Sequence, residues 1–258
     1  MLFLRFDLLS FYTHKIEDNS FITNCNTLKA LAKGSNCSFV MFKAKKIVNS
    51  ISKTFYILHA EDHPKFIPTG KIKQNIHAQK CLEATLKSEI DEYHIFGCYH
   101  KSLNVGKSSV NIYYTHQIDL LDNEMNPIEV KALYLPANSR KTLRQKLSEY
   151  DIGINTLLQC RIGKIGKVIF GLHDNVDARL IQMNLTHSDM EKCFKCDIEE
   201  VKRKVDSRLA KMQQRLQNII AKYWEKNFEA VRIRLNETNE WMFEEINLEK
   251  LLETYNQL

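Results

Sequence analysis

Two runs of alternating apolar and polar residues, separated by a short polar stretch, constrain most strongly what this chain can fold into. The first run covers residues 110–118, and Pro127 introduces the second at 128–135. Alternation is typical of β-strands, whose successive side chains point to opposite faces. The residues between the runs, Asp-Asn-Glu-Met-Asn at 122–126, favour a turn. The sequence therefore predicts two strands joined by a turn.

These two predicted strands carry charged residues spaced for metal chemistry. Gln117 and Asp119 end the first strand, and Glu129 and Lys131 lie within the second. Strand alternation puts Glu129 and Lys131 on one face, and Asp119 can join them from the neighbouring strand. Such a set holds a divalent cation beside a phosphate-facing ammonium, as in many metal-dependent nucleases. Oxygen ligands favour Mg²⁺ or Mn²⁺ over zinc. Gln117 stands where a second acid is expected.

Each of the other charged motifs has an ordinary structural alternative. A lone Glu-x-Lys more often marks an edge strand with solvated charges, and only the nearby Asp119 raises the odds of a site. Cys193 and Cys196 have a zinc-like spacing but lack a second pair, and His59 and His63 lack a correctly placed glutamate. We expect no metal at either place. The basic residues of the helix predicted at 197–227 favour a solvated face over a phosphate track.

Composition and charge limit the compartment and the class of partner. The 258 residues carry a formal net charge of +6 with a pI near 8.8, which permits a polyanionic partner. Seven scattered cysteines favour free thiols in a reducing compartment. Arg5 and Asp7 interrupt the apolar start, so we expect neither a signal peptide nor a membrane span. The expected location is the nucleus, the cytoplasm or both.

Strand and helix patterns mix along the chain without strict βαβ alternation, which favours an α+β fold. We expect a single domain over residues 1–258. In addition to the pair above, the predicted strands are 54–59, 167–171, 179–185, 231–235 and 241–244. The predicted helices are 72–92, 139–160, 197–227 and one that begins after Asn247. In the helix at 72–92, Ile76, Leu82 and Leu86 are expected to face inward.

Taken in order, these pieces resemble the DXO-type decapping exoribonuclease family. Residues 39–44 look like its Trp-Arg-Gly segment, and residues 79–83 are similar to its Gly-x-x-x-Glu. Residues 117–119 match its Glu-x-Asp, residues 129–131 match its Glu-x-Lys, and Gln159 matches its downstream glutamine. Single motifs of this kind are weak, so the resemblance depends on their order and compact spacing.

The resemblance implies two mixed β-sheets flanked by helices, with a nuclease-like metal site between strands. It also implies two divalent cations, Mg²⁺ or Mn²⁺. The implied metal ligands are Glu83, Gln117, Asp119, Glu129 and the carbonyl of Val130.

The remaining implied roles concern catalysis and RNA. Glu129, Lys131 and Gln159 are the implied catalytic residues, and Lys131 and Gln159 would contact the scissile phosphate or the attacking water. Lys43 and Cys98 match positions that line the RNA path. The implied activity removes incomplete or noncanonical caps, including NAD-type caps, from RNA 5′ ends and degrades the RNA 5′→3′. The resemblance leaves open a 5′→3′ exoribonuclease as partner.

Three residues depart from the family pattern. Lys43 replaces an arginine, Gln79 replaces a glycine, and Gln117 replaces a glutamate that helps to bind metal. The change at Gln117 removes one negative charge, so one of the two cations should bind more weakly. Two further hypotheses therefore stay open: a catalytically weakened protein that binds RNA 5′ ends or assists a partner nuclease, and a DNA nuclease. Because the other acids and Lys131 are present, we favour a working hydrolase.

Overall fold

The computed structural model describes residues 16–34, 37–61, 70–86, 95–184, 198–224, 226–236 and 240–256. The chain divides into two compact units, each assembled from separate segments. The first takes Met1–Pro64, Cys98–Thr115 and Ala210–Leu258, and the second takes Lys65–Gly97 and His116–Leu209. The expectation of a single domain over residues 1–258 stays a prediction.

Strands and helices are numbered here in chain order over the described residues. The strands are β1 (Ser20–Asn24), β2 (Cys37–Val48), β3 (Ile51–Ala60), β4 (Ile95–Val105), β5 (Ser108–Ile118), β6 (Leu120–Leu121), β7 (Pro127–Tyr134), β8 (Lys167–His173), β9 (Ala178–Asn184), β10 (Ala230–Leu235) and β11 (Trp241–Ile246). The helices are α1 (Cys25–Lys33), α2 (Gly70–Leu86), α3 (Leu143–Ser148), α4 (Ile152–Gly163), α5 (Ile198–Tyr223) and α6 (Leu248–Asn256).

The larger sheet has seven strands in the order β11-β10-β2-β3-β1-β5-β4. It is mixed, because β1 runs parallel to β3 and β5 while β2 pairs antiparallel with β3 and β10. The β2–β3 hairpin turns through Asn49 and Ser50, whose φ angles of 50° and 65° suit the tight turns that match strand twist. One face of this sheet packs into an apolar core that includes Val40, Phe42 and Ile57.

The smaller sheet has four strands in the order β6-β7-β8-β9, and it positions the candidate site. Strands β7 and β8 are parallel, and both faces of β7 are covered, as is usual for parallel strands. On one face, Val130 packs with Leu82 of α2. On the other face, Leu133 packs in a core that includes Leu157 of α4 and Val201 of α5. The expected α+β fold with two mixed sheets is confirmed.

Several local expectations need correction. The helix expected over 139–160 is wrong, because the described chain has two helices there. Thr142 caps α3 through a reciprocal pair of bonds with Gln145, and a 3₁₀ turn at Glu149–Asp151 follows. Asp151 then has a left-handed φ of 56°, which no α-helix can continue through. The helix expected at 197–227 covers Ile198–Tyr223.

The expected apolar face of α2 is also partly wrong. Leu82 is buried and Leu86 is half-buried, but Ile76 is 41 % exposed. Residues 87–92 of the predicted helix lie outside the described part of the chain. Sequence patterns missed β1, β2, β4, β6 and α1. No helix among the described residues is both long enough and apolar enough to span a membrane.

Replacing Phe170 by alanine tests the core that supports the smaller sheet. Phe170 is 2 % exposed and packs beside Val168 and Leu172 in that core. The substitution should lower the free energy of unfolding by about 3 to 5 kcal/mol, because it leaves a cavity. Urea denaturation measures this loss. The control Val176→Ala, at a side chain that is 90 % exposed, should change stability by less than about 0.5 kcal/mol. Equal effects in the two variants would contradict the assigned core.

Candidate active site

The site begins where the chain passes from β5 to β6 at Asp119. Strand β6 pairs with β7 through Leu120 and Ile128, so the same register sets Asp119 beside Glu129. The Oδ2 atom of Asp119 accepts a hydrogen bond from the Val130 N–H at 2.8 Å. In a regular sheet, a backbone carbonyl of the neighbouring strand would accept this bond. Because the N–H and C=O of a strand residue point to the same edge, the Val130 carbonyl also faces Asp119. One edge of β7 thus carries a carboxylate and a carbonyl oxygen close together.

Glu129 is the most deeply buried acid of the site, with 1 % of its surface exposed. Its Oε1 atom accepts hydrogen bonds from the Lys131 ammonium and from Gln159 Nε2, the latter at 2.5 Å. Its Oε2 atom is also buried and has no hydrogen-bond partner among the described residues. The His116 ring lies 3.7 Å from this oxygen, an ion-pair separation rather than a hydrogen bond. One carboxylate oxygen is therefore hydrogen-bonded, and the other is paired with His116 at longer range.

Burial and neighbouring charges move the pKa values of this cluster in opposite directions. Burial raises the pKa of Asp119 to about 6, and the charge of Glu129 adds to the rise. Burial also works to raise the pKa of Glu129, but His116 and Lys131 outweigh it and hold that pKa below its usual value. Burial works to lower the pKa of Lys131, and the Glu129 charge reverses this. Glu129 is thus ionised and paired, whereas Asp119 resists ionisation.

His116 is a residue of this site that the sequence patterns missed. It is 3 % exposed, and its ring lies against Gly163 at the end of α4, where a Cβ atom would come within 3.1 Å of the ring. The glycine therefore makes room for the histidine beside Glu129. The alternation of the strand could have identified it, because His116 lies on the same buried face of β5 as Ile112, Tyr114 and Ile118.

The structure gathers part of the predicted ligand set. Asp119 accepts the Val130 N–H close enough to Glu129 for the two charges to interact, and Lys131 and Gln159 contact Glu129. Their surroundings are built by the smaller sheet and α4.

Glu83 approaches from another direction. It lies on α2, which covers the face of β7 opposite to the Glu129 side chain, and its Oε1 accepts the Gln79 amide at 2.8 Å. It is close enough that its charge raises the pKa of Asp119 further. Gln117 is exposed. In the described part of the chain, no group of three or more His, Cys, Asp or Glu side chains is placed to hold a metal ion by itself.

The two residues expected on the RNA path belong to the first unit. The Lys43 ammonium donates to the Lys226 carbonyl and lies 5.6 Å from the Tyr56 ring and 5.1 Å from the Phe228 ring. Cys98 is exposed on β4. The motif residues Cys193, Cys196 and His63 lie outside the described residues.

The oxygen donors present fit a divalent cation. The buried Oε2 atom of Glu129 makes no close hydrogen bond among the described residues, with His116 Nε2 3.7 Å away, and the raised pKa of Asp119 indicates that negative charge there is poorly compensated. A cation would satisfy both, because it supplies positive charge to carboxylate and carbonyl oxygens at once. Carboxylate and carbonyl ligands without histidine or cysteine suit Mg²⁺ or Mn²⁺.

Comparison with solved structures shows which known folds this chain resembles. The crystal structure of K. lactis Dxo1 in complex with manganese is similar over 95 % of this chain and 71 % of its own, with 12 % identity and a TM-score of 0.60. Scheffersomyces stipitis Rai1, in complex with 3′-NADP⁺ and a calcium ion, is similar over 92 % and 69 %, with 11 % identity and a TM-score of 0.54. Candida albicans Rai1, in complex with pU5 and Mn²⁺, is similar over 93 % and 72 %, with 10 % identity and a TM-score of 0.51.

These likenesses confirm the resemblance at the level of the fold. No protein-family model matches the sequence. No curated protein matches it either. At such low identity the chain shares the architecture of the Dxo1 and Rai1 structures, while its own residues must carry any statement about chemistry.

The raised pKa of Asp119 predicts a pH dependence of stability in the absence of divalent cations. An unfolded Asp has a pKa of about 3.9, so between about pH 4 and 6 the folded state binds more protons than the unfolded state. Stability from this carboxyl is present below that window and falls, by up to about 3 kcal/mol, as the pH rises through it. Denaturation of wild type and Asp119→Asn at several pH values measures the difference.

Asp119→Asn keeps an oxygen that can accept the Val130 N–H but cannot ionise. Relative to wild type, its free energy of unfolding should therefore rise across the same window. A difference between the two proteins that stays constant from pH 4 to 7 would contradict the assignment.

Proposed function

We propose that this chain is a divergent member of the Dxo1/Rai1 decapping exonuclease family and hydrolyses RNA 5′ ends with the help of divalent cations. The expected substrates are RNAs with incomplete or noncanonical caps, including NAD-type caps, and 5′-monophosphate RNAs degraded 5′→3′. The observation that carries the proposal is the buried Glu129 carboxylate, bonded to Lys131 and Gln159 and adjacent to Asp119.

The chain's own residues have distinct tasks in this proposal. Asp119, Glu129 and the Val130 carbonyl would hold a cation, with Glu83 contributing from α2. When bound, Mg²⁺ or Mn²⁺ supplies Lewis-acid stabilisation of charge on phosphate oxygens. Gln159 fixes one oxygen of Glu129, which keeps the other oriented. Lys131 is 23 % exposed, so its ammonium can donate to a phosphate oxygen and stabilise the charge that develops there.

The ligands of the similar structures agree with this chemistry. Dxo1 of K. lactis is in complex with manganese, and Rai1 of C. albicans is in complex with pU5 and Mn²⁺. Rai1 of S. stipitis is in complex with 3′-NADP⁺ and calcium. By analogy, RNA 5′ ends and nucleotide caps are the ligands we expect here, with Lys43 and Cys98 on the RNA path. A 5′→3′ exoribonuclease partner and a nuclear or cytoplasmic location stay predictions.

Glu129→Gln tests the catalytic proposal directly. Purified protein with Mn²⁺ should hydrolyse 5′-monophosphate RNA and RNA with an unmethylated cap, as followed by gel electrophoresis. The variant keeps the size of the side chain but loses the charge, so its rate should fall by about 100-fold or more. The matched control Glu124→Gln neutralises an exposed acid of the β6–β7 turn and should leave the rate unchanged. Wild type as inert as Glu129→Gln would refute catalysis, and a matched DNA strand cut as well as RNA would favour a DNA nuclease.

A second candidate function is an RNA 5′-end binder with weakened catalysis, which Gln117 favours because a neutral amide stands in place of an acid. Restoring the charge with Gln117→Glu should tighten Mn²⁺ binding severalfold and raise the hydrolysis rate, because one more carboxylate stabilises a cation. Calorimetric titration and the same RNA assay measure the two effects. If neither changes, Gln117 does not limit the site. Metal-independent RNA binding without turnover in both proteins would support the binder.

A further inference from the structure

Helix α2 carries Glu83, and one polar side chain ties this helix to the smaller sheet. The Oδ1 atom of Asn75 accepts the Tyr134 N–H at 2.9 Å and lies 3.0 Å from His173 Nε2. Tyr134 and His173 are paired residues near the ends of β7 and β8. A single amide oxygen thus bridges two strands. This satisfies a backbone N–H at the end of β7 with a side chain from the helix.

The burial and protonation state of His173 determine how its ring bonds to Asn75. The ring is 5 % exposed and meets the Tyr134 ring edge-on at a centroid distance of 5.7 Å. Burial lowers the pKa of His173, which favours the neutral ring. Since an amide oxygen only accepts, the Nε2 atom must carry the hydrogen of that neutral ring. The protonation state and the hydrogen bond therefore agree.

The apolar contact of α2 with the sheet comes from Leu82 and from the half-buried Leu86, which packs against the same cluster. Among its described side chains, Leu82 is the one that is buried, packing with Ile128 and Val130. A Cβ atom on Gly171 would overlap Leu82, so the glycine admits the leucine against β8. Asn75 and Leu82 are seven residues apart, which puts them on the same face of the helix. One polar bridge and two leucines therefore fix where α2 lies on the sheet.

Glu83 directly follows Leu82, about 12 Å along the helix from Asn75. Its charge reaches Asp119, although it arrives from the face of β7 opposite to the Glu129 side chain. A small slide or rotation of α2 would therefore change the distance between Glu83 and Asp119 without disturbing Glu129, Lys131 or Gln159. The placement of the helix controls whether the third acid joins the other two.

We propose that Asn75 is a positioning residue for the divalent-cation site, because its bridge to Tyr134 and His173 sets where Glu83 meets Asp119. This inference rests on the proposed function, since it requires that a cation binds between these acids. Asn75 contacts neither cation nor RNA. Its effect on both is transmitted through the position of α2.

Calorimetric titration of the full chain with Mn²⁺ alone tests this role in three substitutions. Asn75→Ala removes the bridge and should weaken Mn²⁺ affinity by about 10-fold or more, as is typical when a residue that orients a metal ligand is lost. Asn75→Asp keeps an oxygen that accepts both hydrogen bonds and should restore the affinity to within about twofold of wild type. Gln74→Ala, at an exposed neighbour on the same helix, is the matched control and should bind Mn²⁺ as wild type does.

The outcomes separate positioning from a purely structural role. If Asn75→Ala lowers the denaturation midpoint but the folded variant binds Mn²⁺ as tightly as wild type, the inference is overturned. If Asn75→Ala does not fold, His173→Phe decides, because it keeps an aromatic ring at this position and removes the Nε2 donor to Asn75, while the Nδ1 atom that is also lost makes no hydrogen bond among the described residues. Loss of Mn²⁺ affinity in that variant supports the inference, and unchanged affinity overturns it. Wild type that binds no Mn²⁺ refutes the proposed function, and the inference with it.

Discussion

The buried contact between Glu129 and Lys131 is the interaction on which the candidate site depends. A carboxylate at this depth is costly in free energy unless a cation and hydrogen-bond donors accompany it. Lys131 and Gln159 supply these to one oxygen; Lys131 lies on β7 of the smaller sheet, and Gln159 lies on α4, which packs on that sheet. The sheet must therefore be covered on both faces before the site can exist. The cores around Val130 and Leu133 serve that purpose.

The same burial creates an imbalance that points to a metal. Asp119 and Glu129 are like charges in a poorly solvated place, and Lys131 compensates Glu129 more than Asp119. An apolar pair of similar volume would often be at least as stable, so such a cluster is better explained by a ligand than by stability. A divalent cation would relieve the repulsion and satisfy the second Glu129 oxygen. Gln117 lowers the charge available for this and is exposed.

The sequence could predict what depends on periodicity, and it failed where single contacts decide. The alternation in β5 and β7 correctly predicted the strands and set Glu129 and Lys131 on one face. It could not predict the break at Asp151, because a left-handed residue leaves no trace in apolar spacing. His116 and Asn75 were missed for a related reason. Alternation places His116 on the inward face of β5, but the importance of both residues comes from partners distant in sequence, such as Gly163 and His173, which alternation does not identify.

The proposed chemistry requires that a divalent cation binds at the Glu129 carboxylate and the adjacent Asp119. Anomalous diffraction from crystals soaked in Mn²⁺ tests this most directly, because it locates the metal without relying on activity. We expect an anomalous peak within coordinating distance of an oxygen of Glu129 and an oxygen of Asp119. A fully soaked crystal with no peak there, or with Mn²⁺ bound only elsewhere, would contradict it.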